Sequence, residues 1–309
     1  MTLTLGPEGV NKYVAPIEDP LMYPGRRPPT GFVLADAMVW PIAFDNKNER
    51  SASSTYEGLV PSDSADELVT INRFLESRKA TPLEERFPVI GYGSNPVPGQ
   101  LLSKFDADAV VPVVFGSLKH SDVVYNLISN MGYAYAEIAI GLESTEANVG
   151  VTFLDPQQLS KMITTEQNYN LAYSPSDVML ESGERLHGGK GGASYLFAGF
   201  RRIWVPNGCD RPIPIAELPS PGRKQQPLTQ EETLALAIEE FHLVDLNIRS
   251  PRELAHRIRE QRDLEEKPGK LKYELQRKIE LNPRSYPSLA SSLPMIEGGI
   301  LPTKTFYDN

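Results

Sequence analysis

Five short apolar runs between residues 87 and 218 restrict the fold of this chain more than any other feature of the sequence. The runs read FPVI, AVVPVVFG, YAYAEIAIG, NVGVTFL and YLFAGFRRIWV. Their length, their aromatic and β-branched content and the Gly and Pro residues around them predict strands. One helix-like stretch, DPQQLSKMITTEQNYN, lies between the fourth and fifth runs. The pattern predicts an α+β domain in which a helix packs beside a small sheet.

Composition divides the chain into three segments. Residues 1–85 contain frequent prolines and predict an N-terminal extension that wraps over a core or is partly mobile. Residues 86–227 hold the strand-like runs and form the predicted central domain. Residues 228–309 predict a helical C-terminal extension followed by an irregular tail.

The C-terminal helices carry clear start signals. TQEETLALAIEEF has Thr229 and Glu232 at capping-box spacing, and SPRELAHRIREQ has Ser250 and Glu253 at the same spacing. Apolar residues recur along both segments at helical intervals, so each helix should bury one face. That face would lie on the core or on a second subunit, which predicts a possible homo-oligomer through these helices.

Charge and chain start limit the classes of partner. The formal net charge of −9 over 309 residues argues against a nucleic-acid surface, which needs clustered Lys and Arg. A small-molecule or protein partner is therefore expected. The start MTLTLGPEGVNKYVAP lacks the basic and apolar regions of a signal peptide, and the longest apolar stretch is too short to span a bilayer. These features predict a cytoplasmic protein with no membrane partner.

Several common site types are not supported by the sequence. Cys209 is the only cysteine, and the four histidines lack metal-ligand spacing. Ser94 is followed by Asn and Pro, whereas a nucleophile elbow needs a Gly and a helix. The segment HGGKGGAS leads into a strand rather than a helix N-terminus, so a loop is favoured over a phosphate site. We expect no metal and no cofactor.

A glycine-rich turn follows the first strand-like run. FPVI leads directly into Gly91-Tyr92-Gly93-Ser94-Asn95. Glycine permits positive φ and lets a second backbone or a ligand approach closely. The segment is therefore either a tight turn or a ligand cradle.

Two separated motifs together resemble the γ-glutamylcyclotransferase-like family. The family pattern is a Tyr-Gly-Ser-Asn turn after the first strand, then a Gly-Val strand, a short helix, and a Glu with a Tyr seven positions later. Here Tyr92–Asn95 precedes VGVTFLDPQQLSKMITTEQNYNLAY, in which Tyr173 follows Glu166 by seven residues. The intervening GYAYAEIAIGLESTEANVGV resembles the strand pair that the family places before its helix. The resemblance covers about residues 87–218, and Pro96 departs from it because an apolar residue is usual there.

The resemblance implies a fold, a reaction and a site. The implied fold is a small, mixed, barrel-like sheet with packed helices. The implied substrate is a small γ-glutamyl amide or peptide whose α-amine attacks its own γ-carbonyl, so that 5-oxoproline and an amine are released. Glu166 is implied as the catalytic acid–base, with Tyr92, Gly93, Ser94, Asn95 and Tyr173 binding substrate. Backbone N–H groups of the turn would hold the glutamyl carboxylate or the developing oxyanion.

The residues around Glu166 can also be interpreted without the resemblance. Leu159, Met162 and Ile163 form an apolar stripe at helical spacing, and Glu166 extends that stripe, which is unusual for a carboxylate. The alternative is that the helix frays before Glu166 and the side chain is solvated. Four other acids are more simply interpreted as strand-edge, turn or helix-cap residues than as catalytic ones: Glu137, Glu143, Glu146 and Asp155.

Two further functions stay open at this point. The chain could be a protein of the same fold without activity, whose C-terminal helices bind a partner. It could also hydrolyse an amide, with a positioned water in place of the α-amine. The product distinguishes these hypotheses, because cyclisation yields 5-oxoproline and hydrolysis yields free glutamate.

Overall fold

The structure is a computed structural model that describes residues 6–44, 58–63, 67–166, 168–190, 192–262, 270–293 and 295–296. The N-terminal elements are β1 (Glu8–Gly9), β2 (Phe32–Ala35), β3 (Met38–Pro41), β4 (Leu59–Pro61), β5 (Leu68–Thr70) and α1 (Ile71–Ser77). The central elements are β6 (Phe87–Gly91), α2 (Pro98–Lys104), β7 (Val111–Lys119), β8 (Ser121–Asn126), β9 (Tyr135–Ile140), β10 (Glu146–Leu154), α3 (Pro156–Thr165), β11 (Tyr169–Tyr173), β12 (Val178–Leu180), β13 (Arg185–Leu186) and β14 (Tyr195–Gly199). The C-terminal helices are α4 (Gln230–Glu240), α5 (Pro251–Glu260) and α6 (Leu271–Leu281).

A ten-stranded mixed sheet forms the centre of the molecule. Its main path is β1-β3-β2-β7-β10-β6-β14-β11, and the β12–β13 hairpin joins through β7. β14 pairs in parallel with β6, while the other pairs of this sheet are antiparallel. β4–β5 and β8–β9 form two smaller sheets. The predicted α+β class is confirmed, but the described strands form an open path from β1 to β11 rather than a closed barrel.

The predicted strands mostly form, but their partners differ from expectation. FPVI lies in β6 and NVGVTFL lies in β10, as predicted. The segment that resembled one strand pair supplies β9 and β10, yet β9 pairs with β8, and β10 lies between β6 and β7. YLFAGFRRIWV is a strand only as far as Gly199, because the polar pair Arg201-Arg202 follows directly.

The N-terminal extension belongs to the central sheet. β2 pairs with β7 through Phe32↔Val113 and carries β3 and β1 outward. All four residues of β2 are buried. Part of the extension therefore supplies strands and core residues instead of only covering the central domain. The polar run at 45–57 lies outside the described residues.

The C-terminal helices pack on the core of the same chain. Both predicted capping boxes are present, at Thr229 in α4 and Ser250 in α5. Leu234 and Ile238 of α4, and Leu254 and Ile258 of α5, are buried in the main hydrophobic cluster. The prediction that each of these helices buries one face is confirmed, and that face packs on the core of the same chain. The homo-oligomer stays a prediction. In the described parts of the chain, no helix combines the length and apolar character needed to cross a bilayer.

Candidate active site

The end of helix α3 places Glu166 at the interior. Asp155 caps the start of this helix in a capping box with Gln158, which confirms its predicted structural role. Leu159 and Met162 then bury one face of the helix. Glu166 is the C-terminal cap, and only 12% of its side chain is exposed. The prediction that Glu166 continues the inward-facing stripe is confirmed.

Glu166 belongs to a closed polar network with the turn. Lys104, the last residue of α2, forms an ion pair with Glu166 Oε1 and donates to Asn95 Oδ1 over 2.9 Å. Asn95 Nδ2 donates to the same Glu166 oxygen over 3.1 Å. Both contacts reach Oε1, so Oε2 keeps no hydrogen-bond partner among the described residues and is open to the adjacent pocket. The network fixes the carboxylate and leaves one oxygen available to a ligand.

A pocket of about 380 Å³ lies against this network. Its inner wall consists of the turn, Lys104 and Glu166, and Lys104 is the only basic residue among the described lining residues. The remaining wall is rich in tyrosine and amide side chains: Tyr23, Tyr133, Tyr135, Tyr169, Gln100, Asn130 and Asn168. The cavity could hold a small polar molecule with an apolar or aromatic end.

Close packing explains the glycine of the turn. A Cβ atom on Gly93 would lie 2.5 Å from Tyr23 Oη and 2.9 Å from Ala136 Cβ, both too close. Neither Gly91 nor Gly93 has a positive φ. Gly93 is therefore needed for room beside Tyr23 and Ala136 rather than for a left-handed backbone.

Arg27 of the N-terminal extension orients the turn from behind. Its Nη2 donates to the carbonyl oxygens of Tyr92 and Gly93 over 2.9 and 2.8 Å. In a trans peptide the N–H points opposite to the C=O, so the N–H groups of Gly93 and Ser94 point away from Arg27. Arg27 lines a different cavity from the one that the turn lines. Those N–H groups have no hydrogen-bond acceptor among the described residues and belong to two residues that line the pocket, so they are available to bind an anion.

The N-terminal extension also closes the outer wall of the pocket. Tyr23 stacks on Tyr133 with ring centroids 4.5 Å apart, and its hydroxyl accepts a hydrogen bond from the Ala136 N–H over 2.7 Å. Ile17 lies on the same wall, and its carbonyl accepts a hydrogen bond from Arg259 of α5. The N-terminal segment therefore forms part of the pocket wall, and α5 contacts that segment through Arg259.

A second carboxyl group, Glu137 of β9, lies behind the turn and is fully buried. Its Oε1 lies 3.0 Å from the Tyr92 hydroxyl and accepts from the Ile138 N–H over 3.1 Å. Burial raises the pKa of Glu137 from 4.5 to about 8, and this effect exceeds the opposing one of the contacts with Ile138, Tyr92 and Gly199. Among the described strands β9 pairs only with β8, so Glu137 does lie on an edge strand, but its side chain is buried rather than solvated.

The structure brings together five of the six predicted site residues. Tyr92, Gly93, Ser94, Asn95 and Glu166 all line the pocket. Tyr173 does not; its ring contacts Tyr195 instead, with centroids 5.6 Å apart. Tyr169 lies four residues earlier on β11 and lines the pocket. Four residues of strand span about 13 Å, so the two tyrosines cannot serve one small site.

Sequence reasoning missed three residues: Lys104, Arg27 and Glu137. Glu137 had a signal, because it is the one acid within the apolar run YAYAEIAI. Lys104 ends the helix that follows the turn, a position that indicates proximity but no role. Arg27 is 65 positions from Tyr92, and nothing in PGRRPP indicates its contact with the turn.

Comparison of the chain with models of known families, with curated proteins and with solved structures gives no match. Within the described residues, no three His, Cys, Asp or Glu side chains come together as a metal site requires. The proposal of a function therefore depends on the geometry of the pocket and on the motif resemblance.

Proposed function

We propose that this protein is a γ-glutamylcyclotransferase-like enzyme that cleaves a small γ-glutamyl amide or peptide. The observation that carries the proposal is the junction of the two motifs in one pocket, where Asn95 of the turn donates to Glu166 after a separation of 71 positions.

The pocket offers a distinct group for each polar part of a γ-glutamyl unit. Lys104 is the basic residue of the described lining, so its positive charge favours an α-carboxylate nearby, while its N–H groups bind Asn95, Met162 and Glu166. The open Oε2 of Glu166 suits the α-ammonium group. The N–H groups of Gly93 and Ser94 suit the γ-carbonyl oxygen on which negative charge develops. Held in this way, the α-nitrogen and the γ-carbon of one substrate molecule meet without an external nucleophile.

The proposed reaction moves two protons through one carboxylate. Glu166 takes a proton from the α-ammonium, and the freed amine attacks the γ-carbonyl carbon to close a five-membered ring. The tetrahedral oxyanion then collapses and breaks the bond from the carbonyl carbon to the leaving nitrogen. Glu166 returns its proton to that nitrogen, then takes the extra proton from the ring nitrogen and passes it to the released amine, so that 5-oxoproline and an ammonium product leave and the carboxylate is regenerated.

The outer wall favours a leaving amine with an apolar or aromatic part. Tyr23 and Tyr133 present stacked rings there, with Ile17 and Met131 beside them. Such surfaces gain free energy by covering apolar area and by stacking. A γ-glutamyl arylamide or alkylamide should therefore be processed better than γ-glutamylglycine.

A product assay with a matched variant pair tests the proposal. The protein is incubated with a panel of γ-glutamyl amides and peptides, and 5-oxoproline and glutamate are measured separately. Glu166→Gln keeps the size of the side chain but cannot carry the proton, so turnover should fall at least about 100-fold. Glu143→Gln changes an exposed acid in the same way and is the control.

Each other outcome of this assay contradicts the proposal in a different way. Free glutamate without 5-oxoproline would indicate an amide hydrolase. Calorimetric binding of γ-glutamyl compounds without any product would indicate a non-catalytic protein. Near-normal 5-oxoproline formation by folded Glu166→Gln would remove Glu166 from the mechanism.

A further inference from the structure

The hydrogen-bond geometry around Tyr92 requires a proton that the phenol alone cannot supply. The hydroxyl of Tyr92 makes a short hydrogen bond to the carbonyl oxygen of Phe197 and also lies 3.0 Å from Glu137 Oε1. A phenol has one proton, and a backbone carbonyl can only accept. If the Tyr92 proton goes to Phe197, the contact with Glu137 needs a proton on the carboxyl group.

We propose that Glu137 is a positioning residue that stays protonated and donates to the Tyr92 oxygen, thereby fixing the first residue of the substrate-binding turn. In this arrangement the hydrogen bonds run in one direction, from Glu137 to Tyr92 to the Phe197 carbonyl on β14. These hydrogen bonds hold the turn through the Tyr92 side chain, while Arg27 holds it through the carbonyl oxygens of Tyr92 and Gly93.

The surroundings of Glu137 suit a neutral acid. The residue is 0% exposed, and its Oε2 has no hydrogen bond of good geometry within the described residues. A Cβ on Gly199 would lie 1.6 Å from Oε2, so β14 leaves room for the carboxyl group only because residue 199 is glycine. An ionised carboxylate with so few donors would be strongly unfavourable in this environment.

The groups that face Glu137 are neutral. Tyr92 faces it from the end of β6, Tyr135 from its own strand and Tyr169 from β11, while β14 contributes only backbone. The pKa of each of these tyrosines is raised by burial, so their hydroxyls stay protonated. No cationic side chain of the described residues contributes to the pKa of Glu137, which burial raises to about 8. Glu137 is therefore the member of this group that loses its proton first as the pH rises.

Loss of the Glu137 proton should disturb the position of the turn, although Glu137 itself does not contact the substrate. A carboxylate at Glu137 would pull the Tyr92 proton away from Phe197 and so release the turn from β14. Because the turn carries the proposed oxyanion-binding N–H groups, the turnover should fall as Glu137 loses its proton. This kinetic consequence depends on the proposed function, whereas the protonation state itself does not.

Infrared spectroscopy tests the protonation state in the absence of any substrate. The difference spectrum of the wild-type protein minus Glu137→Gln at pH 6 should show the carbonyl band of a protonated carboxylic acid. That band should disappear as the pH rises through about 8. Tyr92→Phe removes the acceptor of the Glu137 proton, so the same band should shift in frequency. A carboxylate signal in place of the acid band at pH 6 would overturn the inference.

The kinetic arm uses a rescue pair. Glu137→Gln keeps a neutral donor of the same size, so it should retain 5-oxoproline formation near neutral pH and lose the alkaline decline that the wild type shows above about pH 8. Glu137→Leu keeps bulk but has no donor, so its activity should be reduced at every pH. Equal loss in both variants would contradict a positioning role, because it would point to a carboxylate that acts directly.

The two arms separate the possible failures. An acid band that titrates as expected in a protein that forms no 5-oxoproline would reject the proposed function and leave the protonated Glu137 intact. Measurable turnover together with an ionised Glu137 at pH 6 would reject the inference and leave the function intact.

Discussion

Raising the pH from 5 to 8 should reverse the order of stability between the wild-type protein and Glu137→Gln. The pKa of Glu137 is about 8 in the folded protein and 4.5 without burial. Between these values the folded carboxyl keeps a proton that the unfolded one has lost, so the free energy of unfolding of the wild type falls as the pH rises. The contribution is fully present below about pH 4.5 and is lost as the pH passes through 8.

The expected magnitude follows from the two pKa values. Each pH unit between them corresponds to about 1.4 kcal/mol, so the interval from pH 5 to pH 8 removes about 4 kcal/mol from the wild type. Gln does not titrate and escapes this loss. At pH 5 the variant should be about 1 kcal/mol less stable, because an amide NH₂ directed at Tyr92 leaves the Ile138 N–H without its acceptor. At pH 8 the variant should be about 3 kcal/mol more stable than the wild type.

Urea unfolding at half-unit pH steps measures this difference, and the chain has suitable probes. Trp40 and Trp204 are both buried, so their fluorescence should report unfolding. All other residues are identical in the two proteins, so their contributions cancel in the comparison. Glu143→Gln, an exposed change of the same chemistry, should follow the wild type at every pH. If Glu137→Gln and the wild type also ran parallel from pH 5 to 8, the argument for a neutral buried acid would be refuted.

Three further substitutions test the pocket. Gly93→Val should abolish calorimetric binding of γ-glutamyl compounds in a folded protein, because its Cβ would occupy the space of the Tyr23 hydroxyl; unchanged binding would return the turn to a structural role. Arg27→Met should lower the turnover of 5-oxoproline formation more than Arg27→Lys, since Lys can still donate to the turn carbonyls; equal effects would exclude this contact from the mechanism. Tyr173→Phe should cost far less turnover than Glu166→Gln, because Tyr173 lies outside the pocket; a comparable loss would show that the pocket extends to Tyr173.

Local sequence signals predicted the parts of the site that depend on neighbouring residues. The capping boxes of α4 and α5 and the inward direction of Glu166 follow from helical spacing within about ten residues. The glycine-rich turn follows from composition at the end of one strand. These signals are short-range, and the structure agrees with them.

Contacts between distant segments could not be predicted in this way. Arg27 reaches the turn across 65 positions, and Glu137 reaches Tyr92 across 45. No period in the sequence encodes such pairs. For Tyr173 the motif spacing predicted a contact that the structure does not show. Tyr173 lies at the far end of the extended strand β11 and therefore outside the pocket.

The contact between Arg259 and the carbonyl of Ile17 joins residues 242 positions apart at the entrance of the pocket. During synthesis Ile17 is made first, whereas Arg259, which donates to its carbonyl, follows 242 positions later. Closure of loops of this length slows folding, and the partly made chain exposes the apolar surface that α5 later covers. Nascent chains that end before α5 should therefore be inactive and prone to aggregate, because they lack the helix that covers this apolar surface.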